Sequence, residues 1–352
     1  MKRARWEQRL QDIWYGKSSA YIPLLPLSWL YCAAAGIRRL AYRSGLLGTT
    51  RLNSRVIVVG NISVGGTGKT PLVIALAERL QQAGLRVGIL TRGYLGRASH
   101  WPQPVSAGSD PQQLGDEAVL LARKTRTTVF AGPQRVAAAR ALLQVSPCDV
   151  LLCDDGLQHY ALHRDVEIAT VDVTRGHGNG FCLPAGPLRE PASRLQQVDA
   201  VVSLGGGSVH SDYAMQLVAA AACRIMDPVN RRDLELFQGS PVHAVAGIGD
   251  PERFFAMLRR AGLTIQTHRF ADHHPFRASD LDFGDNRPVL MTEKDAVKCE
   301  AFSKANWWSV PVNAQLDTAF YDWLFNVLAS TPINHGSSRG HSRGQHSRGQ
   351  ST

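Results

Sequence analysis

Between Arg55 and about Arg224, short apolar runs alternate with longer amphipathic stretches. The runs Val56–Val59, Val87–Leu90, Thr128–Phe130, Val150–Cys153, Ile168–Val171 and Val201–Ser203 have the unbroken apolar character of strands covered on both faces. Pro71–Gln82, Asp116–Arg123 and Gln134–Leu143 read as the helices between them. This alternation predicts an α/β fold with a parallel sheet covered by helices. A shorter set begins after Asp227-Pro228: strand Val242–Ala246, helix Glu252–Arg260, strands Thr264–Phe270, Val289–Met291 and Trp308–Val312, and helix Thr318–Leu328. It predicts a second, smaller α/β domain. Gly247-Ile248-Gly249 carries only part of a dinucleotide fingerprint and reads as a tight turn. The expected division is 1–45, 46–225, 226–330 and 331–352.

The amino-terminal part is patterned differently. No charge occurs between Lys17 and Arg38, and Tyr21 to Ile37 is strongly apolar. Glu7 and Asp12 in a long leader argue against a cleaved signal. Pro23 and Pro26 are expected to break the segment, leaving Leu27–Ile37 as a helix of about 17 Å. A span needs roughly 20 residues for about 30 Å. The expectation is therefore a partly inserted or interfacial helix, with Trp29 and Tyr31 at the headgroup level and Lys2, Arg3, Arg5, Arg9, Arg38, Arg39 and Arg43 facing anionic lipid. The plain alternative is a helix packed on the domain. At the other end, Gly336–Thr352 repeats a His-Ser-Arg-Gly unit, has nothing apolar to bury and is expected to be disordered.

Composition changes this picture in one respect. The content, 44% hydrophobic and 19% charged over 352 residues, is that of an ordinary globular chain, but the net charge is +10. The basic residues are dispersed and no aromatic-interleaved basic stripe is present, which favours an anionic membrane or acidic substrate over nucleic acid. Cys32, Cys148, Cys153, Cys182, Cys223 and Cys299 show no CxxC spacing and read as reduced, cytosolic thiols.

The candidate chemistry begins behind the first strand. Ser63-Val64-Gly65-Gly66-Thr67-Gly68-Lys69-Thr70 is a glycine-rich turn opening a helix, with Pro71 in its first turn. Backbone N–H groups of such a loop, together with the positive end of the helix, cradle nucleotide phosphates. Lys69 is placed for the β- and γ-phosphates and Thr70 for Mg²⁺. Ser63 stands where the strict pattern has Gly, and Gly65-Gly66 resembles the variant GG-x-GK-T loops of membrane-partition and metallochaperone ATPases. The apolar strand Asp149–Cys153 runs into Asp154-Asp155, two acids that are costly to bury unless a cation compensates, which points to Mg²⁺, the plain alternative being a turn begun by Asp155-Gly156.

Four polar patches remain: Leu114-Gly115-Asp116-Glu117, Ala185-Gly186-Pro187-Leu188-Arg189-Glu190, Phe270-Ala271-Asp272-His273-His274 and Thr292-Glu293-Lys294-Asp295-Ala296-Val297-Lys298. Each alone reads as a helix start or surface turn. Their order with the phosphate loop, Thr91-Arg92-Gly93-Tyr94 and Asp154-Asp155-Gly156-Leu157-Gln158-His159 resembles the tetraacyldisaccharide 4'-kinase family, from the apolar helix to about Leu328. Leu95 departs from it, since the family's RGY segment usually continues with Gly.

The resemblance implies a P-loop kinase core that uses ATP and Mg²⁺ to phosphorylate the 4'-hydroxyl of a tetraacyldisaccharide 1-phosphate, forming lipid IVA. It assigns Asp116 as base and His273 as its partner, Lys69 and Arg189 to charge neutralisation, and Thr70, Asp154, Asp155 and Glu190 to the metal. Asp116, shielded and coupled to His273, is expected to be a stronger base than a free carboxylate. Gln158 and His159 are expected near the nucleotide or sugar. The implied partners are the acylated disaccharide phosphate lipid and an anionic membrane surface, with no nucleic acid and no protein partner. The implied location is the cytoplasmic face of the inner membrane, peripheral or monotopic. The alternative is a membrane-associated ATPase switch of the partition type.

Overall fold

The structure, a computed structural model, describes residues 10–16, 18–207 and 211–330. Lys2, Arg3, Arg5, Arg9 and the tail from 331 lie outside the described residues. Helix α1 (Leu25–Arg43) follows a 3-10 turn, Ser19–Leu24. Pro23 falls in that turn and Pro26 at the start of the helix, where a missing N–H forfeits no bond, so neither proline shortens it. The expected helix Leu27–Ile37 is corrected to 19 residues, about 28 Å long. The unit Ser19–Arg43 is long and apolar enough, by length and composition, to cross a membrane. Only Ser28 of α1 is buried, its hydroxyl donating to the Cys182 carbonyl at 2.7 Å, while Leu27, Trp29, Leu30, Ile37 and Leu40 are exposed.

The larger sheet is built from β1 (Arg55–Gly60), β2 (Val87–Thr91), β3 (Gln103–Val105), β4 (Thr128–Ala131), β5 (Val150–Asp154), β6 (Val166–Asp172), β7 (Ala200–Leu204) and β8 (Tyr213–Ala219). Helices α2 (Lys69–Gln82), α3 (Asp116–Thr125) and α4 (Arg135–Val145) connect several of them. β1 lies between β5 and β6, and all three run parallel with Val59 opposite Asp154. That register sets the loop after β1 beside the acids that end β5, the place where open α/β sheets bind ligands. β1 and β5 are buried almost throughout, as unbroken apolar runs require.

The smaller sheet holds β9 (Ala222–Arg224), β10 (Asp227–Arg232), β11 (Val242–Ala246), β12 (Ile265–Arg269), β13 (Val289–Thr292) and β14 (Trp307–Val310), with α5 (Pro251–Arg260) and α6 (Glu293–Cys299). The expected strand Trp308–Val312 is two strands. Pro311 separates β14 from β15 (Val312–Leu316), which joins the larger sheet antiparallel to β8. Helix α7 (Thr318–Ser330) follows it and buries Phe320, Leu324 and Leu328 in the larger core. The strand ending and the helix that the sequence grouped with the smaller unit thus lie on the larger one. The chain crosses between sheets twice, at 219–222 and at Pro311, and the two sheets form the walls of a cleft. Arg123 pairs with Glu300 and Lys124 with Glu293 (3.0 Å), joining α3 to the α6 region, while Arg253 of α5 pairs with buried Asp172 of β6.

Candidate active site

The cleft contains a cavity of about 1070 Å³. Its floor is the Gly65–Thr70 loop. Gly68 caps α2 with φ +82, a backbone angle that calls for glycine, and packs toward the tips of Met215 and Leu204. Thr67 is buried and its hydroxyl meets that of Thr170 at 2.7 Å, fixing the loop against β6. Ile248 and Gly249, expected as a mere turn, line the same cavity from the smaller unit.

The acids after β5 divide into two environments. Asp155 sits 3.5 Å from Lys69 Nζ and accepts from Arg189 Nη1 at 3.1 Å. Burial would raise its pKa, but Lys69 and Arg189 outweigh burial and hold it well below the usual carboxylate range. Asp154 is fully enclosed. Its Oδ2 accepts from the Thr70 hydroxyl at 3.2 Å, and its Oδ1 is buried without a hydrogen-bond partner. Burial, with the Glu117 charge nearby, pushes its pKa up to about 7. An orphaned carboxylate oxygen beside a threonine hydroxyl suits a hard cation, whose charge would reverse that shift.

Glu190, expected at the metal, has its carboxylate taken by Gln158 Nε2 (2.9 Å) and the Tyr160 hydroxyl. It is Gln158, not Glu190, that lines the cavity. His159 lies there too, and burial with the nearby Arg135 and Arg92 charges lowers its pKa to about 3, leaving it uncharged.

The Asp116 carboxylate, at the start of α3, lies 3.1 and 3.0 Å from His273 Nδ1, so the two residues 157 positions apart in sequence form a pair. His273 is held at φ +57, a conformation rare for a side chain of this size, by its N–H to the Gly247 carbonyl (3.2 Å). Lys294 Nζ donates to His273 Nε2 at 3.0 Å and lies 3.1 Å from Glu117 and 3.3 Å from Asp272. A carboxylate on one nitrogen and an ammonium on the other fix the tautomer with the proton on Nδ1. The expected strengthening of Asp116 is corrected. Burial would raise its pKa, yet the His273 hydrogen bond and the Lys294 and Lys298 charges hold it below the ordinary value. His273 lines the cavity and Asp116 is packed behind it, 5% exposed.

A glycine-rich phosphate-loop sequence and an Asp–His pair at one cavity agree with what related proteins are. Residues 20–329 match the family model described as tetraacyldisaccharide-1-P 4'-kinase. The chain belongs to this family. It is 53% identical to the tetraacyldisaccharide 4'-kinase of Nitrosococcus oceani over 90% of this chain and 93% of that one. It is 49% identical to the enzyme of that name from Methylobacillus flagellatus, over 92% and 96%. A crystal structure of LpxK from Aquifex aeolicus in complex with ATP superposes with a TM-score of 0.74 at 27% identity, covering 88% of this chain and 99% of that one.

In this member of the tetraacyldisaccharide-1-P 4'-kinase family, three residues to which the motifs gave no role also pack at the site: Lys298, Arg135 and Tyr94. Lys298 stands 2.8 Å from buried Asp295 and 3.7 Å from Asp116. Its spacing of four from Lys294 in the quoted patch is the signal for one shared helix face. Arg135, 2% exposed, donates to the Asp154 carbonyl at 3.1 Å, and nothing in its helix pattern singles it out. Tyr94 meets the His273 ring edge-on, with centroids 5.1 Å apart. The family departure at Leu95 now has a physical consequence, since Leu95 adopts φ +60. A non-glycine side chain costs about 1–2 kcal/mol there. Leu95→Gly, which elsewhere loosens a loop, is therefore expected to leave the melting temperature unchanged or raise it, as calorimetry will register.

Proposed function

We propose that this chain transfers the γ-phosphoryl group of ATP to the 4'-hydroxyl of a tetraacyldisaccharide 1-phosphate, the step that forms lipid IVA in lipid A biosynthesis. The observation that carries the mechanism is that the phosphate loop with Lys69 and Arg189 opens on the same cavity as His273 of the smaller unit, which is backed by Asp116 of the larger one. Residues 63–70 bind the triphosphate through backbone N–H groups, and Lys69 and Arg189 balance its charge. Thr70 and Asp154 would hold Mg²⁺, with Asp155 beside them and Glu190 one layer behind through Gln158. The ion supplies charge neutralisation on the phosphates when bound. When the substrate draws Lys294 off Nε2, that nitrogen of His273 takes the sugar hydroxyl's proton, and Asp116 on Nδ1–H supplies the negative charge that stabilises the imidazolium. Low basicity of Asp116 in the free protein follows from the His273 hydrogen bond together with the Lys294 and Lys298 charges. A substrate that engages those ammonium groups makes the pair a better base.

The lipid has to reach this cavity from a bilayer. Tyr31 and Arg38 of α1 line the cavity while the apolar residues of the same helix are exposed, which supports a peripheral or monotopic seat on the cytoplasmic face of the inner membrane. Replacing Leu27, Trp29, Leu30 and Ile37 by Ser is expected to weaken sedimentation with anionic vesicles and raise the apparent KM for lipid, with ATP affinity unchanged. High salt should weaken binding of the native protein only partly, because the apolar share is not screened. Undiminished vesicle binding by the four-fold variant would mean that α1 only packs.

Incubation with γ-labelled ATP and the disaccharide lipid tests the reaction itself. Label in the lipid supports the kinase. Label found only in free phosphate supports the partition-type switch, which family membership disfavours.

A further inference from the structure

The phosphate loop is braced from a part of the chain far from it in sequence. After β6, Asp172 fixes a turn: its side chain accepts from Thr174 N at 3.0 Å and its carbonyl from Gly176 N at 2.7 Å. The turn carries Arg175 toward the phosphate loop. A Cβ on Gly65, whose φ is +114, would lie 2.9 Å from Arg175 Nη1, so the guanidinium occupies the space this glycine leaves open. The other faces of the guanidinium are held by the amino-terminal segment at 10–16. Arg175 Nη2 donates to Gln11 Oε1 at 2.6 Å, and Cζ stands 4.5 Å from the centre of the Tyr15 ring.

The same segment grips the neighbouring loop. Trp14, 7% exposed, donates from Nε1 to the Pro184 carbonyl at 3.0 Å and accepts from Asn179 N at 2.8 Å. That loop returns to the phosphate loop, with Val64 N donating to the Pro187 carbonyl at 2.8 Å and Ser63 bridged to Leu188. Two paths therefore run from residues 11–15 to residues 63–65, one through Arg175 and one through 184–188.

We propose that Arg175, held by Gln11 and Tyr15, is a positioning residue that keeps the Gly65 end of the phosphate loop in its nucleotide-binding shape and makes the amino-terminal segment part of the ATP site. The guanidinium acts through its shape. Its planar fork stacks on Tyr15 and donates to Gln11 while one edge supports the loop, which an ammonium does not reproduce. Arg175 does not line the cavity, so its effect on nucleotide is indirect. The proposal rests on the reading of residues 63–70 as an ATP loop.

The test measures equilibrium ATP binding by calorimetry and the KM values for ATP and lipid, on full-length protein. Arg175→Ala is expected to weaken ATP binding roughly ten-fold, about 1.4 kcal/mol, and to raise the KM for ATP with the KM for lipid unchanged. Arg175→Lys should recover less than half of that loss. Tyr15→Leu, which leaves Arg175 and the loop intact, should shift ATP affinity in the same direction with a native thermal transition. Unchanged ATP affinity in Arg175→Ala, or full recovery by Arg175→Lys, overturns the brace while leaving the kinase reading in place. If the native protein itself binds no ATP, the underlying reading fails instead.

Discussion

Lys69→Ala is expected to fold normally and to transfer phosphate on the order of 10²–10³ more slowly than the native protein. Lys69 stands in the first turn of α2, 3.5 Å from Asp155, and its side chain is only 14% exposed. Charge builds on the phosphoryl oxygens as the transition state forms, and a preplaced ammonium in a largely enclosed site is worth most at that moment. Without it, Asp155 keeps Arg189 as its partner, so the acid is not stranded and the fold should hold. Phosphate transfer to lipid and circular dichroism together decide the matter. Near-native turnover by a folded Lys69→Ala protein would remove the phosphate-loop assignment.

Asp116 and His273 should fail as a unit. Asp116→Ala and His273→Ala are each expected to lower kcat by about 10²–10⁴, the usual worth of a positioned acid–base group. The KM for ATP should barely move, since neither residue belongs to the phosphate loop. The double variant should be little worse than the worse single one, because each residue works through the other. Asp116→Ala also leaves Lys298 leaning on Asp295 alone, so thermal melts belong beside the kinetics. Multiplicative losses in the four-way comparison would show two independent residues.

Much of this was legible in order along the chain. The phosphate loop declares itself because backbone geometry and phosphate charge require glycines, a lysine and a hydroxyl at fixed spacing, all within eight residues. The strands β1, β2, β5 and β7 are equally plain, since burial on both faces leaves runs of three or four apolar residues with polar ones only toward their ends. Asp154-Asp155 is visible because two acids at the end of such a strand are costly without a cation. Local signals of this kind depend only on neighbours in sequence.

What the sequence left open depends on contacts between distant residues. It named Asp116 and His273 through a family pattern, but the direction of the Asp116 shift was decided by the His273 hydrogen bond with Lys294 and Lys298, all arriving from the other unit and together outweighing burial. It read Pro23 and Pro26 as breaks, but Pro23 lies in the 3-10 stretch ahead of α1 and Pro26 in the first turn of α1, where no N–H is needed. It grouped β15 and α7 with the smaller unit, since strand and helix patterns carry no record of which sheet they join. Pairing with β8 and the packing of Phe320 and Leu324 settled that. The loops, acids and apolar strands were written in the chain itself. The balance of charge at the Asp116–His273 pair and the packing of Arg175 beside the phosphate loop came only from folding, which sets 11 against 175 and 116 against 273.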